Sequence, residues 1–103
     1  TYAQDLARVT RRIIEVLNSS PEDRFGLYHV TNTGTTSWHG FAQEIFRLAA
    51  HQDVVVQPIS TEEYPTPAPR PAYTALDCSK LERVFGLTLP SWRDALARCI
   101  AGL

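Results

Sequence analysis

Apolar residues recur at helical spacing along the first part of the chain. They lie three or four positions apart: Leu6, Val9, Ile13 and Leu17. This spacing puts them on one face of a helix, and Thr1 with Gln4 has the spacing of a capping box at the helix start. The polar run Asn18-Ser19-Ser20-Pro21 then ends the pattern. The pattern predicts a first helix over roughly residues 2–18.

A second helix is predicted near the middle of the chain. Its apolar stripe consists of Trp38, Phe41, Ile45 and Leu48. Thr36 or Ser37 precedes this stripe and can cap the helix, because serine and threonine hydroxyls accept hydrogen bonds from the free N–H groups of the first turn. Tryptophan on an apolar stripe is more often core than binding surface, so we expect Trp38 to be buried.

Two shorter helices are predicted towards the end. Ser79 with Glu82 has capping-box spacing for a helix that Gly86 terminates. Ser91 with Asp94 repeats the arrangement for a last helix. The apolar face of that helix carries Trp92, Leu96, Cys99 and Ile100. We expect Trp92, like Trp38, to belong to the core.

Between the helices, three segments are typical of extended chain. Leu27, Tyr28 and Val30 follow Gly26 and suit a short strand, and Val54-Val55-Val56 begins a second strand that ends near Ile59. Residues 73–76 are also expected to be extended. Alternating helices and short strands predict an α/β fold, namely a small helix-rich domain with a short sheet.

Composition and charge narrow the function classes. A chain of 103 residues with 44% apolar content can bury one core but not two. The net charge of −1 provides no electrostatic footprint for nucleic acid or for an anionic membrane. No apolar run is long enough to span a bilayer, and no signal-peptide pattern is present. Cys78 and Cys99 have no partner at metal-ligand spacing, so we expect reduced thiols and a cytoplasmic location.

The segment Tyr64–Tyr73 is the strongest candidate for ligand binding. It holds four prolines within seven residues, and it carries Arg70 between two of them. Proline restricts both its own backbone and that of the preceding residue, so this loop has few conformations to lose when a ligand binds. The alternative, a stiff connector between a strand and a helix, remains open from the loop alone.

Motifs for hydride transfer are missing from the sequence. The five glycines lack the spacing of a phosphate-binding turn between a strand and a helix. None of the four tyrosines has a lysine four residues later, although such a lysine would lower the pKa of the phenol for acid catalysis. The sequence also contains no HExxH, GxSxG or P-loop motif. We therefore assign no catalytic, cofactor-binding or metal-binding residue, and we expect the chain alone to be inactive.

Several blocks of the sequence resemble one enzyme family in order along the chain. They are Thr1–Ala7, Gly26–Asn32, Thr36–Trp38 with Phe41-Ala42 and Ile45-Phe46, Arg70–Leu81, Phe85–Leu87 and Pro90–Leu96. Together they resemble the C-terminal substrate-binding portion of the dTDP-4-dehydrorhamnose reductase family of extended short-chain dehydrogenase/reductases. The pair His39-Gly40 departs from the family, which more usually has tyrosine and an acidic residue there.

The resemblance implies a role within a larger enzyme. Residues 1–103 would be a single substrate-binding domain that lacks the Rossmann half, where NADPH, the catalytic tyrosine and the lysine would lie. Arg70 would bind the diphosphate of a dTDP-sugar, unless it pairs with Asp77 instead, and Tyr64 and Tyr73 would line the sugar or thymine. The resemblance also implies a possible homodimer, with Mg²⁺ as an optional ion. Two adjacent glutamates, Glu62-Glu63, are the local candidate for that ion, although such a pair is more often solvated.

Two other interpretations stay open. The chain could be the corresponding domain of another nucleotide-sugar epimerase or 4-ketoreductase, because the chemistry is set by residues outside it. It could also be a stand-alone binding module. Coding sequence upstream of Thr1 that contains a glycine-rich turn and a Tyr-x-x-x-Lys pair would exclude the module.

Overall fold

Four helices form the regular structure of the part of the chain that is described. The computed structural model describes residues 1–20, 22–51 and 53–103. The helices are α1 (Ala3–Ser19), α2 (Trp38–Leu48), α3 (Ser79–Phe85) and α4 (Trp92–Ala101). All four predicted helices are therefore confirmed. None of the described helices combines the length and the apolar character needed to span a membrane.

The caps of α2 and α4 agree with the sequence. The Ser37 hydroxyl accepts a hydrogen bond from the Gly40 N–H at 3.0 Å, and the Ser91 hydroxyl accepts one from the Asp94 N–H at 3.2 Å. Both serines have extended backbones outside the helix, as an N-cap requires. Gly86, with φ 64°, ends α3 in the left-handed conformation that glycine adopts readily.

The two other predicted capping boxes are wrong. The N-cap of α1 is Tyr2, not Thr1, and its backbone N–H donates to Oδ1 of Asn32 at 2.8 Å. At α3, Ser79 is already the first helical residue, and its N–H is satisfied by Oδ1 of Asp77 at 2.8 Å. In both cases a side chain outside the predicted box accepts the hydrogen bond.

No segment of the described chain forms a strand, so the short sheet is not confirmed. Residues 27–30 and 54–59 have no regular backbone pairing, and the only bridge among described residues is a parallel one between Thr33 and Ser91. A strand needs a neighbour for its N–H and C=O groups. Leu27 and Val55 are 78% and 82% exposed, which agrees with the lack of a neighbour. What is confirmed is a small helix-rich domain.

The core joins α1 and α3 to the extended chain between α1 and α2. Val9, Leu81 and Leu89 are its buried members, and Leu81 is fully inaccessible. Partly buried residues surround them: Ile13, Tyr28, Val30, Phe85 and Leu87. Beside this core, α2 packs against α4. The loop that follows Val30 is thus held between the core and the start of α4.

The two cysteines have no disulfide. Cys78 and Cys99 are free and half-buried, as the sequence predicts.

Candidate functional site

A wide groove lies between the loop that leads into α2 and the chain that leads into α3. Its volume is about 1120 Å³. One wall is formed by residues 31–39 and the other by residues 72–79, with Trp92 of α4 also in the lining. The two walls meet where the Thr31 hydroxyl and the Cys78 thiol lie 3.3 Å apart. Among the described residues this groove is the best candidate for a ligand site, because it is concave and has mixed polar and apolar walls.

The first wall is fixed by backbone hydrogen bonds to the start of α4. The Thr33 N–H donates to the Pro90 carbonyl at 3.0 Å, and the Trp92 N–H donates to the Thr33 carbonyl at 2.9 Å. Gly34 follows with φ +82°, and a Cβ there would lie 3.1 Å from Cδ1 of Trp92. The left-handed backbone strongly favours glycine at this turn, and a larger residue would also press on Trp92.

Aromatic rings continue this wall. Trp38 is 83% exposed in the groove, so the prediction that it belongs to the core is wrong. Its ring contacts Phe41 edge-on with centroids 6.5 Å apart, and Phe41 lies 5.9 Å from the half-buried Trp92. Trp38 is the first residue of α2. Because its ring is so exposed, most of the indole surface is open to a ligand.

The pair His39-Gly40 has a local explanation. His39 Nε2 lies 3.0 Å from the Val56 carbonyl and so connects α2 to the extended segment that contributes Pro58 and Ile59 to the groove. A Cβ on Gly40 would lie 2.6 Å from Oγ1 of Thr36. Glycine at this position therefore allows Thr36 and Ser37 to close over the first turn of α2.

The three sequence-predicted binding residues are only partly brought together. Tyr73 lines the groove and is 76% exposed, whereas Tyr64 and Arg70 are exposed in the proline loop outside the lining. Arg70 makes no ion pair with any described residue, and Asp77 uses its carboxylate to accept the Ser79 N–H. The alternative pairing of Arg70 with Asp77 is therefore absent from the described chain.

The groove carries little positive charge. Its described lining includes the acidic residues Asp77 and Glu82 and the imidazole of His39, but neither lysine nor arginine. The backbone N–H of Ser79 holds the pKa of Asp77 below its ordinary value, so this carboxylate is ionised at neutral pH. The groove is thus better suited to the uncharged rings of a ligand than to a diphosphate.

A buried polar cluster lies directly behind the first wall. Asp5, only 2% exposed, accepts hydrogen bonds on Oδ2 from Nη2 of Arg98 at 2.6 Å and from Nδ2 of Asn32 at 2.9 Å. Nε of Arg98 also donates to Asp94 at 2.9 Å. The sequence did not predict this cluster, because its members are up to 93 residues apart.

Comparison with known proteins identifies the family of this chain. The family described as "RmlD substrate binding domain" matches residues 1–103, which is the whole chain. The chain belongs to this family. It is 38% identical over 107 residues to the dTDP-4-dehydrorhamnose reductase of Sinorhizobium fredii, with 100% of this chain and 36% of that protein covered. It is 36% identical over 105 residues to the enzyme of the same name from Salmonella typhimurium, with 97% of this chain and 35% of that protein covered.

A solved structure agrees in fold. The crystal structure of a dTDP-4-dehydrorhamnose reductase from Clostridium acetobutylicum superimposes with a TM-score of 0.81 at 41% identity. The match covers 94% of this chain and 32% of that one. The RmlD domain therefore spans about a third of the length of the reductases that it matches.

Neither cofactor implied by the family fits the described residues of the RmlD domain. The N-termini of α2 and α4 are closed by their own serine caps, and no glycine-rich turn precedes them, so a dinucleotide has no phosphate cradle here. Glu63 accepts the Ser60 N–H at 2.6 Å. Within the described residues, no three His, Cys, Asp or Glu side chains are placed to hold a metal ion. The Glu62-Glu63 pair thus gives no support for Mg²⁺.

The buried Asp5 predicts a defined acid sensitivity of the RmlD domain. Hydrogen bonding to Arg98, more than any other cause, holds the pKa of Asp5 below its ordinary value of 3.8. Because the folded-state pKa is the lower one, the stabilisation from Asp5 is complete above pH 3.8 and is lost as the pH falls through the folded-state pKa. We expect the stability difference between wild type and Asp5→Asn to shrink below that pH. Unfolding by denaturant at a series of pH values measures it.

Glu15→Gln is the control for this titration. Glu15 also pairs with two arginines, Arg11 and Arg12, on the same helix; both arginines are largely exposed and the Glu15 side chain is 39% exposed. Hydrogen bonds to Arg11 and Arg12 also hold the pKa of Glu15 below its ordinary value. Solvent-exposed pairs contribute little to stability, so this variant should depart from wild type far less than Asp5→Asn does. Parallel curves for wild type and Asp5→Asn through the acid range would contradict the assignment to Asp5.

Proposed function

We propose that residues 1–103 are a single substrate-binding domain of a dTDP-4-dehydrorhamnose reductase. The full enzyme would reduce the 4-keto group of dTDP-4-dehydro-L-rhamnose with NADPH and so form dTDP-L-rhamnose. The observation that carries this proposal is the match of the entire chain to the substrate-binding family, together with whole-domain similarity to reductases of that name. The groove supplies a place for the ligand within this domain.

The walls of the groove suit the rings of a nucleotide sugar. Trp38 and Tyr73 offer exposed aromatic faces, on which a thymine can stack or a sugar can pack. Hydroxyl groups of the threonines at 31, 33, 35 and 36 line the same wall and can exchange hydrogen bonds with sugar hydroxyls. Tyr64 would extend this surface from the proline loop.

Arg70 would supply the positive charge that the groove lacks. It lies between Pro69 and Pro71, only two residues before Ala72 of the second wall. A guanidinium can bind two phosphate oxygens at once, and the flanking prolines reduce the entropy lost when it does so. Since no described residue holds Arg70 in an ion pair, its side chain is available for the diphosphate of a dTDP-sugar.

The remainder of the enzyme would cover the apolar surface of this domain. Phe25 and Leu27 are 80% and 78% exposed, and Ile59 is 58% exposed beside the groove. Contiguous exposed apolar surface is typical of an interface, and Phe25 and Leu27 lie two residues apart. We propose that an N-terminal Rossmann half packs here and brings NADPH, the catalytic tyrosine and its lysine. We also propose that the enzyme is cytoplasmic and forms a homodimer, with Mg²⁺ as an optional ion.

The test is an activity assay on the complete open reading frame. Purified protein is given NADPH and dTDP-4-dehydro-L-rhamnose, with absorbance at the NADPH band and chromatography of the nucleotide sugar as readouts. Formation of dTDP-L-rhamnose is expected. A panel of other nucleotide 4-keto-sugars and epimerase substrates tests the neighbouring interpretation, and turnover of one of these alone would reject the assignment.

A further inference from the structure

The cluster of Asp5, Asn32 and Arg98 connects three parts of the fold through one amide side chain. Asn32, 7% exposed, accepts the Tyr2 N–H on Oδ1 at 2.8 Å, while Nδ2 donates to Asp5 and, at 3.1 Å, to the Pro90 carbonyl. Asn32 therefore joins the start of α1, the groove wall and the residue that precedes the cap of α4.

The charged members hold that amide in place. Asp5 is a buried carboxylate whose Oδ2 is shared between Asn32 and Arg98, and Arg8 lies 3.6 Å from its Oδ1 at the surface. The guanidinium of Arg98 is also constrained by Asp94 and lies 5.3 Å from the centre of the Tyr2 ring. Hydrogen bonds to charged groups are short and directional. Asn32 therefore makes all of its hydrogen bonds only when Oδ1 faces the Tyr2 N–H and Nδ2 faces the Asp5 carboxylate.

The cluster is connected directly to the wall of the groove. Asn32 itself lines the groove, and the next residue, Thr33, makes the two backbone hydrogen bonds that fix the wall against Pro90 and Trp92. Displacement of Asn32 would move Thr33 and Gly34 relative to Trp92. A wall that is already fixed before the ligand arrives has less ordering to lose on binding.

We propose that Asp5, Asn32 and Arg98 are positioning residues that fix the Asn32–Gly34 wall against Trp92 and thereby set the affinity of the groove for a nucleotide sugar. This inference rests on the proposed function. The competing explanation is that the ion pair only stabilises the fold. Replacing a buried ion pair by apolar residues is often neutral for stability, whereas breaking it leaves an unpaired charge, so stability alone does not separate the two explanations.

The central variant is Asp5→Asn in the full-length enzyme. It keeps the shape of the side chain and removes its charge, so that one neutral carbonyl oxygen replaces the carboxylate that binds Asn32 and Arg98, and the new N–H₂ group faces Arg8. We expect KM for the nucleotide sugar to rise by roughly 10-fold, because a wall that is no longer fixed beforehand must be ordered when the ligand binds, and this ordering reduces affinity. KM for NADPH should be unchanged, and kcat should fall much less than KM rises.

Val9→Ala is the control matched for stability. Val9 lies one turn after Asp5 on α1 and belongs to the core cluster, not to the groove lining. It should lower the melting temperature while leaving KM for the nucleotide sugar close to wild type. Asp94→Asn removes the charge of the half-exposed second partner of Arg98 and does not alter the contacts of Asn32, so its effect on KM should be much smaller than that of Asp5→Asn.

Hydrogen exchange supplies a readout that needs no substrate. The amide hydrogens of Thr33 and Trp92 should exchange faster in Asp5→Asn than in Val9→Ala at equal thermal stability. If Asp5→Asn does not fold, Arg98→Lys is the substitute, because it keeps the charge but loses the fork that joins Asp5 to Asp94. It should raise KM for the nucleotide sugar and speed the exchange of the Thr33 and Trp92 amides, both by less than Asp5→Asn would.

The outcomes separate this inference from the proposed function. One outcome is that Asp5→Asn and Val9→Ala change KM and the exchange rates of the Thr33 and Trp92 amides only in proportion to the stability that each variant loses. In that case the cluster is only structural, and the inference is overturned. If the wild-type enzyme binds no dTDP-sugar, the proposed function fails. In that case the exchange rates of the Thr33 and Trp92 amides still show whether the cluster holds the wall. Equal rates in Asp5→Asn and Val9→Ala, at equal thermal stability, would overturn the inference.

Discussion

The 103-residue chain on its own is expected neither to bind NADPH nor to oxidise it in the presence of dTDP-4-dehydro-L-rhamnose. A hydride-transfer enzyme of this kind needs backbone N–H groups at a glycine-rich turn for the pyrophosphate, and a phenol with a lowered pKa as general acid. Gly26, Gly34 and Gly40 serve turns and close contacts of the fold instead, and no tyrosine is followed by lysine at the fourth position.

Two measurements check this expectation. A fluorescence titration with NADPH should show no saturable binding to the chain, and absorbance at the NADPH band should stay at the rate of the enzyme-free blank. The full-length protein in the same buffers is the positive control. A saturable micromolar site on the chain alone would show that cofactor-binding groups lie within it. The proposal that NADPH binds only to an N-terminal Rossmann half would then be wrong.

The helices could be predicted because their determinants are local. Ser37 and Ser91 accept hydrogen bonds from N–H groups three residues later, so the cap and its helix are encoded within one turn. Gly86 likewise ends α3 through its own backbone conformation. The caps that were mispredicted are those completed from outside the turn, as where Asn32 satisfies Tyr2 across 30 residues.

The strands and the burial of Trp38 depended on neighbours that local patterns do not reveal. Residues 27–30 have the composition of a strand, but pairing requires a second segment at the right distance, and none of the described chain supplies it. Trp38 lies on the apolar stripe at the start of α2, yet the indole is 83% exposed. Phe41, three residues later, contacts Trp92 of α4.

The candidate site was predictable only in part for the same reason. Tyr73, which closes the proline loop, lies in the groove lining, and its contact with a ligand stays a prediction. The Asp5–Asn32–Arg98 cluster joins residues that are far apart in the sequence, and no periodicity relates them. No local signal marked them, because Asn32 lies between two threonines and Asp5 lies between Gln4 and Arg8 in a mixed polar and apolar stretch.

Replacement of Arg70 by alanine in the full-length enzyme is expected to weaken dTDP-sugar binding by ~1.5–3 kcal/mol, the range for a hydrogen bond to a charged group. The described groove lining contains neither lysine nor arginine, and the guanidinium of Arg93, 4.5 Å from the centre of the Trp92 ring, is an alternative cation beside it, so we expect little local compensation. Arg70→Lys keeps the charge but cannot bind two oxygens in the plane of a fork, and it should recover only part of the affinity.

The control and the kinetic pattern make this prediction specific. Arg83 is an exposed arginine on α3 outside the groove lining, and Arg83→Ala should leave KM and kcat unchanged. For Arg70→Ala, the main change should be in KM for the nucleotide sugar, because the diphosphate is bound equally in the ground and transition states. A smaller fall in kcat would mean that binding at the diphosphate also orients the sugar for reduction. If both Arg70 variants behave like wild type, Arg70 does not contact the substrate, and the segment Tyr64–Tyr73 is a stiff connector after all.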